Sequence, residues 1–207
     1  MSNRSIVALK FFAFPACLIP FGMLVYEGFT NALGPDPVAT ITHTTGFWTL
    51  YFLLITLAIT PVRRLSRHLA WLIRFRRMLG LFAFFYVTLH LFTWIWLYSN
   101  FDVHAMLHDI VKRPFITVGM LGWTCLFLLA ATSTAWAIRR MGGRRWTQLH
   151  RLIYVAAIAG VIHYWWIVKP GVLTPWRVTV VLAILLLARI GWSLRQSARK
   201  RKTAVAA

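Results

Sequence analysis

Residues 78–101 read MLGLFAFFYVTLHLFTWIWLYSNF and contain no charged side chain. An α-helix needs about 20 mostly apolar residues to cross a bilayer, so this stretch predicts a membrane-spanning helix. The whole chain shares its character: hydrophobic residues make up 59% of its 207 residues, charged residues only 13%, and the mean hydropathy is +0.67. A soluble domain of this length could not cover its surface with so few charges. The composition therefore predicts an all-α integral membrane protein.

Five further stretches have comparable length and hydropathy. The six predicted spans cover about residues 6–26, 43–60, 77–98, 115–138, 149–168 and 174–194. In the last span, Arg177 and Arg189 enclose only eleven uncharged residues, and we expect both side chains to extend towards opposite membrane interfaces. Because the connections are short, we expect a single domain over residues 1–207, folded as a six-helix transmembrane bundle.

Basic residues accumulate on one side of this arrangement. They are Arg4, Lys10, Arg63, Arg64, Arg67, Arg74, Arg76, Arg77, Arg139, Arg140, Arg144, Arg145, Arg199, Lys200, Arg201 and Lys202. The opposite side holds only Lys112, Arg113, Lys169 and Arg177, together with all four acids of the chain, Glu27, Asp36, Asp102 and Asp109. Cytoplasmic loops carry an excess of Lys and Arg, so we expect both termini to be cytoplasmic. The net charge of +19 then follows from topology and requires no nucleic-acid partner.

Cysteine usage and motif absences exclude several classes of site. Cys17 and Cys125 each lie inside an apolar run, where neither a structural disulfide nor a metal motif is expected. The chain contains no G-x-G-x-x-G, no Walker P-loop and no C-x-x-C-H for covalent haem attachment. If electrons pass through this chain, we expect another protein to oxidise any nicotinamide cofactor.

Two histidines lie at similar predicted depth in the membrane. His90 is in the third span and His163 in the fifth, and these spans run in the same direction. Ionisable residues inside the membrane are costly and often functional. Two neutral imidazoles on different helices can ligate a b-type haem iron from opposite faces, and aromatic residues flank both positions. The alternative is that each histidine forms a hydrogen bond between helices within an ordinary aromatic-rich bundle.

A third histidine, His150, lies at the opposite end of the fifth span. Thirteen residues separate it from His163, which is about 20 Å along a helix axis and about 140° around it. At that depth the third span offers Arg76 and Arg77 rather than a histidine. The arginine pair is suited to clamp haem propionates or a flavin phosphate. The alternative is that both arginines are ordinary membrane anchors.

The remaining histidines give weaker indications. His43 opens the second span, where it can contact a cofactor edge or simply belong to a helix-capping segment. His104 and His108 have i, i+4 spacing in a loop next to Asp102 and Asp109, a pattern that can bind zinc but is more typical of a solvated polar face.

Several motifs together resemble the MsrQ family of haem-binding membrane subunits, within the ferric-reductase-like transmembrane superfamily. They are GPDPV at 34–38, HTTG at 43–46, ITP at 59–61, RRMLGL at 76–81, LHL at 89–91, RPFITVG at 113–119, WTQLHRLIY at 146–154 and HY at 163–164. These segments occur in the same order and at similar spacing over nearly the whole chain.

The resemblance implies a bacterial inner-membrane subunit that carries b-type haem. FMN has also been attributed to the family. Electrons would come from the quinol pool or a cytosolic flavin reductase, and would pass to a periplasmic molybdenum-cofactor enzyme (MsrP-like) that reduces methionine sulfoxide in proteins. The sulfoxide chemistry is therefore expected on the partner, not on this chain.

The resemblance also implies site residues. His90 and His163 would be the axial iron ligands, and His150 would lie near a second, inner cofactor. Larger members of the superfamily use two histidines on each of two helices, whereas here Arg76 and Arg77 stand near the place of the second histidine of the third span. One haem together with an inner haem or FMN fits these residues better than two bis-histidine haems.

Further expectations concern partners and alternatives. We expect the outer loops, with Asp36, Asp102 and Asp109, to form the docking face for the partner. Two other functions stay open: a stand-alone cytochrome b that oxidises quinol or reduces ferric iron, and a non-redox transporter or scaffold whose histidines relay protons or pack. The lack of acids inside the spans and of paired broken helices argues against a transporter.

Overall fold

The computed structural model describes residues 2–168 and 174–205, and these form helices and short turns without any β-strand. The helices are α1 (Asn3–Phe29), α2 (Pro37–Leu65), α3 (Arg76–Thr93), α4 (Val103–Lys112), α5 (Pro114–Ala131), α6 (Ala135–Met141), α7 (Gly143–Leu149), α8 (Leu152–Ile167) and α9 (Thr174–Val205). A 3₁₀ segment (Arg67–Arg74) precedes α3, and a π-helical turn (Trp94–Tyr98) extends it. The all-α prediction is confirmed.

Five helical stretches in the described ranges are long and apolar enough to cross a membrane. They are Asn3–Phe29, Pro37–Leu65, Arg76–Tyr98, Pro114–Ala131 and Thr174–Ala198. The span predicted at 149–168 corresponds to α8, which is uncharged but has only 16 residues. The count of six spans therefore stays a prediction.

Helix boundaries differ from the predicted spans at positions where a capping residue or a proline sets the end of a helix. The span predicted at 43–60 begins instead at Pro37, because the Asp36 side chain accepts a hydrogen bond from the Ala39 amide and Pro37 fits the first helical position. The same helix continues through Pro61 to Leu65. The span predicted at 115–138 ends at Ala131, and a new N-cap at Thr134 starts α6.

The bundle is organised as two closely packed helix pairs. The most extensive contacts join α2 to α3 and α5 to α8. Further contacts of α3 with α5 and of α2 with α8 connect the pairs, and α9 packs against α2 and α8. The core between them is fully buried at Leu53, Leu57, Ala83 and Tyr86. This arrangement brings α3 and α8, the helices that carry His90 and His163, to the same interior.

Tyr86 connects α3 to the first helix through its hydroxyl group. The hydroxyl donates to the Cys17 carbonyl at 2.8 Å and accepts from the Phe21 amide at 3.2 Å. These two groups are the i and i+4 partners of a regular helix, and Pro20 next to them lacks an amide hydrogen. The Tyr86 hydroxyl thus ties α1 to the core at a proline-disturbed turn.

We expect Tyr86→Phe to lower the free energy of unfolding by about 1–3 kcal/mol, because it removes both hydrogen bonds at a fully buried site while keeping the ring. Thermal unfolding of the purified protein in detergent measures this effect. Tyr98→Phe, at an exposed tyrosine, is the control. Equal melting temperatures for Tyr86→Phe and the unsubstituted protein would contradict the assignment.

Candidate functional site

The structure brings His90 and His163 together in the bundle interior. Their ring centroids are 5.9 Å apart and their planes are perpendicular, at 89°. His90 lies on α3 and His163 on α8, so one residue comes from each of the two helix pairs. The similar depth predicted for these histidines thus corresponds to proximity in the fold.

Each of the two imidazoles is oriented by a backbone carbonyl on the partner helix of its own pair. Nδ1 of His90 lies 2.9 Å from the Thr42 carbonyl oxygen on α2, and Nδ1 of His163 lies 2.7 Å from the Phe115 carbonyl oxygen on α5. A carbonyl oxygen only accepts hydrogen bonds, so both Nδ1 atoms carry the hydrogen and donate it. In a neutral ring this leaves the lone pair on Nε2, the arrangement that a metal-ligating histidine requires.

The geometry of this pair fits a metal ion between the rings. A metal lies about 2 Å from an imidazole nitrogen, and each ring centre lies about 1 Å farther back, so two ligating rings have centroids roughly 6 Å apart. The described residues contain no group of three or more His, Cys, Asp or Glu side chains placed to hold a metal. Two imidazoles alone would leave a metal ion under-coordinated, so the pair would suit a metal that is carried by a macrocycle with nitrogen ligands of its own.

His150 lies apart from this pair. It follows α7 and precedes α8; its Nδ1 donates to the Trp146 carbonyl at 3.0 Å and its ring stacks on the Trp146 indole with centroids 3.8 Å apart. Its Nε2 is buried and has no hydrogen-bond partner in the described part of the chain. A buried nitrogen with a free lone pair is a costly feature that a ligand would satisfy.

Three arginines from three helices gather near His150, and we call Arg63, Arg76 and Arg189 the arginine cluster. Arg76 is half-buried and within electrostatic range of Arg189, Arg63 and His150. The Nε atoms of Arg63 and Arg189 are buried without a hydrogen-bond partner among the described residues. All four acids of the chain lie at the other end of the bundle, in or beside the connections between helices. The cluster therefore lacks a protein counter-charge and is suited to an anionic group.

The Arg189 side chain has partners on two other helices, and its expected direction towards a membrane interface stays a prediction. One guanidinium nitrogen donates to the Tyr154 hydroxyl, and another donates to the Leu57 carbonyl at 2.8 Å. Pro61, four residues after Leu57, has no amide hydrogen, so this carbonyl lacks its usual helical donor. Arg189 replaces that donor and thereby links α9 to α2 and α8. The sequence signal that could have found it is the proline inside the second span.

The other candidate residues lie outside these two sites. Arg77, next to Arg76, is exposed, and so are His43, His104 and His108. Asp102 caps α4 by accepting from the His104 and Ala105 amides, and Asp109 pairs with Arg113 at 3.0 Å. In the described ranges, His104 and His108 therefore belong to a solvated helix face without a third metal ligand.

Comparisons with known proteins agree with this architecture. The family model described as "Ferric reductase like transmembrane component" matches residues 45–161, which include His90 and His150 and end just before His163. The relatives found include three proteins named protein-methionine-sulfoxide reductase heme-binding subunit MsrQ. They come from Herminiimonas arsenicoxydans (49% identity over 98% of this chain and 94% of the relative), Ralstonia nicotianae (46%, 93% and 89%) and Xanthomonas euvesicatoria (43%, 98% and 93%).

Proposed function

Because this chain belongs to the family of ferric reductase-like transmembrane components, we propose that it is a haem-binding electron-transfer subunit. It is a multi-pass protein of the bacterial inner membrane, with five long apolar helices and bacterial relatives over nearly its full length. The observation that carries the proposal is the His90–His163 pair, with centroids 5.9 Å apart and both Nδ1 atoms donating to backbone carbonyls.

The proposed cofactor at this pair is a b-type haem with His90 and His163 as axial ligands. The chain lacks the C-x-x-C-H motif for covalent attachment, so the haem would be held by axial ligation and packing. The carbonyls of Thr42 and Phe115 fix the tautomer and direction of each ring. When bound, haem supplies one-electron chemistry; the protein supplies ligands, orientation and a dry environment.

We propose a second cofactor at His150 and the arginine cluster. The unpartnered Nε2 of His150 offers one ligand, and the uncompensated guanidinium groups offer a site for haem propionates or for the phosphate of FMN. Arg76 is half-buried and within electrostatic range of His150, whereas Arg77 is exposed and lies outside this site. The sequence predicts Arg76, Arg77 and His150 for this site, and we add Arg63 and Arg189 to the proposal because their Nε atoms are buried without a hydrogen-bond partner among the described residues.

The proposed topology has six spans, with both termini cytoplasmic. Helix α8, at 16 residues, is about 24 Å long, somewhat less than the hydrocarbon thickness of about 30 Å. It has no charged residue, and its core positions Ile153, Ala156 and Ala157 are buried against the other helices. A short span enclosed by longer ones can be accommodated by local thinning of the bilayer. With this orientation the arginine cluster lies on the cytoplasmic side and the His90–His163 pair in the periplasmic half.

The proposed electron acceptor is a periplasmic molybdenum-cofactor methionine sulfoxide reductase. Support comes from the relatives, whose names call them heme-binding subunits of a protein-methionine-sulfoxide reductase. The quinol pool or a cytosolic flavin reductase would be the donor. Reduction of the sulfoxide then takes place on the partner, so this chain is a subunit of an oxidoreductase system rather than the catalyst. Docking would use the surface around Asp36, Asp102 and Asp109.

We expect His90→Ala, and equally His163→Ala, to abolish the low-spin haem spectrum, because each removes one axial ligand while leaving the hydropathy of its helix nearly unchanged. Dithionite-minus-oxidised spectra with pyridine hemochrome quantitation measure the loss. His104→Ala, at an exposed histidine of α4, is the control. Unchanged α and β bands in His90→Ala would exclude the axial assignment, and a colourless unsubstituted protein would support a scaffold or transporter instead.

We expect Arg76→Ala to reduce the content of the second cofactor while the His90–His163 haem is retained, because the substitution removes a charge from the site that would hold its anionic groups. Haem and released flavin, each measured per protein, give the result. Arg139→Ala, at an exposed arginine of α6, is the control. Identical cofactor ratios in both variants would refute the role assigned to Arg76.

We expect Asp36→Asn combined with Asp102→Asn to slow haem reoxidation by the periplasmic partner several-fold and to weaken its dependence on salt, because rim charges act mainly on association rates. Asparagine caps a helix about as well as aspartate, so both helix starts are preserved. Stopped-flow absorbance at the haem α band measures the rate. A rate equal to that of the unsubstituted protein at low and high salt would show that docking occurs elsewhere.

A further inference from the structure

Two glycines lie directly against the rings of the paired histidines. A Cβ atom added to Gly119 would be 2.9 Å from Nδ1 and 3.0 Å from Cε1 of His163. A Cβ atom added to Gly46 would be 3.2 Å from Cε1 and 3.3 Å from Nδ1 of His90. Carbon atoms in optimal contact are about 3.5–4.0 Å apart. A side chain at Gly119 therefore requires the His163 ring to move, and a side chain at Gly46 requires a smaller shift of the His90 ring.

The two glycines occupy equivalent places relative to the carbonyls that orient the histidines. Gly46 is four residues after Thr42 on α2, and Gly119 is four residues after Phe115 on α5. In an α-helix the carbonyl of residue i points towards the amide of residue i+4. A ring from a neighbouring helix that donates to this carbonyl must therefore approach beside residue i+4. The same arrangement occurs twice, on two helices that share no obvious repeat.

We propose that Gly46 and Gly119 are positioning residues for the two axial histidines. Each glycine gives the imidazole of the neighbouring helix access to a main-chain carbonyl, which fixes Nδ1 as the hydrogen-bearing atom and directs Nε2 towards the iron. This inference rests on the proposed haem function and extends it to two residues whose side chains offer no ligand atom.

Substitution by alanine at Gly119 would displace the ring rather than the helix. The atom that an added Cβ meets is Nδ1 itself, and this atom is bonded to the Phe115 carbonyl at 2.7 Å. The imidazole must tilt away, which lengthens that hydrogen bond and moves Nε2 from its place. At Gly46 the contacts are 0.3 Å longer for the nearest atoms (3.2 Å against 2.9 Å), so a smaller displacement suffices. The effect is graded, with Gly119→Ala larger than Gly46→Ala.

A role in helix packing alone would predict a different pattern. Small residues at membrane helix interfaces allow close backbone approach, and Gly122 on α5 is such a residue. A Cβ atom added to Gly122 would lie 3.7 Å from the Ala159 Cβ and 3.8 Å from the Ala156 carbonyl oxygen, which are ordinary contacts. Gly122→Ala is therefore a control on the same helix and in the same α5–α8 interface. Gly80→Ala on α3, with its nearest contact at 3.9 Å, is the corresponding control for Gly46→Ala.

The experiment compares these four variants and the unsubstituted protein as full-length chains purified in detergent. Three measurements are made: haem per protein, the low-spin signal by electron paramagnetic resonance, and binding of carbon monoxide to the reduced form. A displaced histidine leaves a five-coordinate, high-spin iron that binds carbon monoxide. Loss of a group that orients a ligating histidine typically costs roughly 10–100-fold in metal affinity, so the haem affinity of Gly119→Ala is expected to fall by that order, and the haem that stays bound is expected to be high-spin.

The outcomes separate this inference from the function on which it rests. High-spin, carbon monoxide-reactive haem in Gly119→Ala, a weaker effect in Gly46→Ala and unaltered spectra in Gly122→Ala and Gly80→Ala support it. Low-spin spectra in all four variants overturn it while leaving the axial assignment intact. An unsubstituted protein without haem overturns the proposed function itself. If Gly119→Ala does not accumulate, Gly46→Ala with its milder contact provides the same comparison.

Discussion

The structure depends on the need to satisfy every backbone polar group without help from water, because hydrocarbon offers no hydrogen-bonding partner. Among the described residues, four long-range contacts of this kind, each from a side chain to a main-chain carbonyl of another helix, lie within the bundle. Tyr86 donates to Cys17, His90 to Thr42, His163 to Phe115 and Arg189 to Leu57. These contacts join α1 to α3, α2 to α3, α5 to α8 and α2 to α9. Three of these side chains, His90, His163 and Arg189, belong to the proposed cofactor sites, so residues proposed for function also link the helices of the bundle.

Proline explains why one of these carbonyl contacts occurs where it does, and a second proline lies beside another. Pro61 removes the helical donor of the Leu57 carbonyl, and Arg189 supplies the replacement. Near Pro20, the Tyr86 hydroxyl bonds both the Cys17 carbonyl and the Phe21 amide. At His90 and His163 no proline is involved; there a glycine on the neighbouring helix opens the approach to the carbonyl. Helix-breaking and small residues thus place polar side chains inside an otherwise apolar bundle.

Hydropathy and charge could predict the all-α membrane fold, because long apolar runs and arginine-rich connections are visible in any single sequence. The proximity of His90 and His163 could also be anticipated, since both spans run in the same direction. The hydrogen-bond partner of Arg189 could not be predicted. It is the Leu57 carbonyl, which lacks its helical donor because of Pro61, 128 positions before Arg189 in the chain. Nor could the sequence predict that the Thr42 and Phe115 carbonyls accept hydrogen bonds from the two histidines, because every residue carries a carbonyl group. The start of α2 at Pro37 and the end of α5 at Ala131 differ from the predicted spans, because capping residues and turns set these ends and hydropathy does not detect them.

The same helices carry residues of both proposed cofactor sites, so the distance between the sites can be read along the helix axes. On α3, Arg76 and His90 are fourteen residues apart, which corresponds to about 21 Å along the axis. On α2, Thr42 lies near the start of the helix and Arg63 near its end, so these two residues are separated along the axis as well. A distance of this order covers most of the roughly 30 Å hydrocarbon core. Two extended planar cofactors would divide this distance into shorter electron-transfer steps. A group at the arginine cluster and a haem at the histidine pair would then together connect the two faces of the membrane.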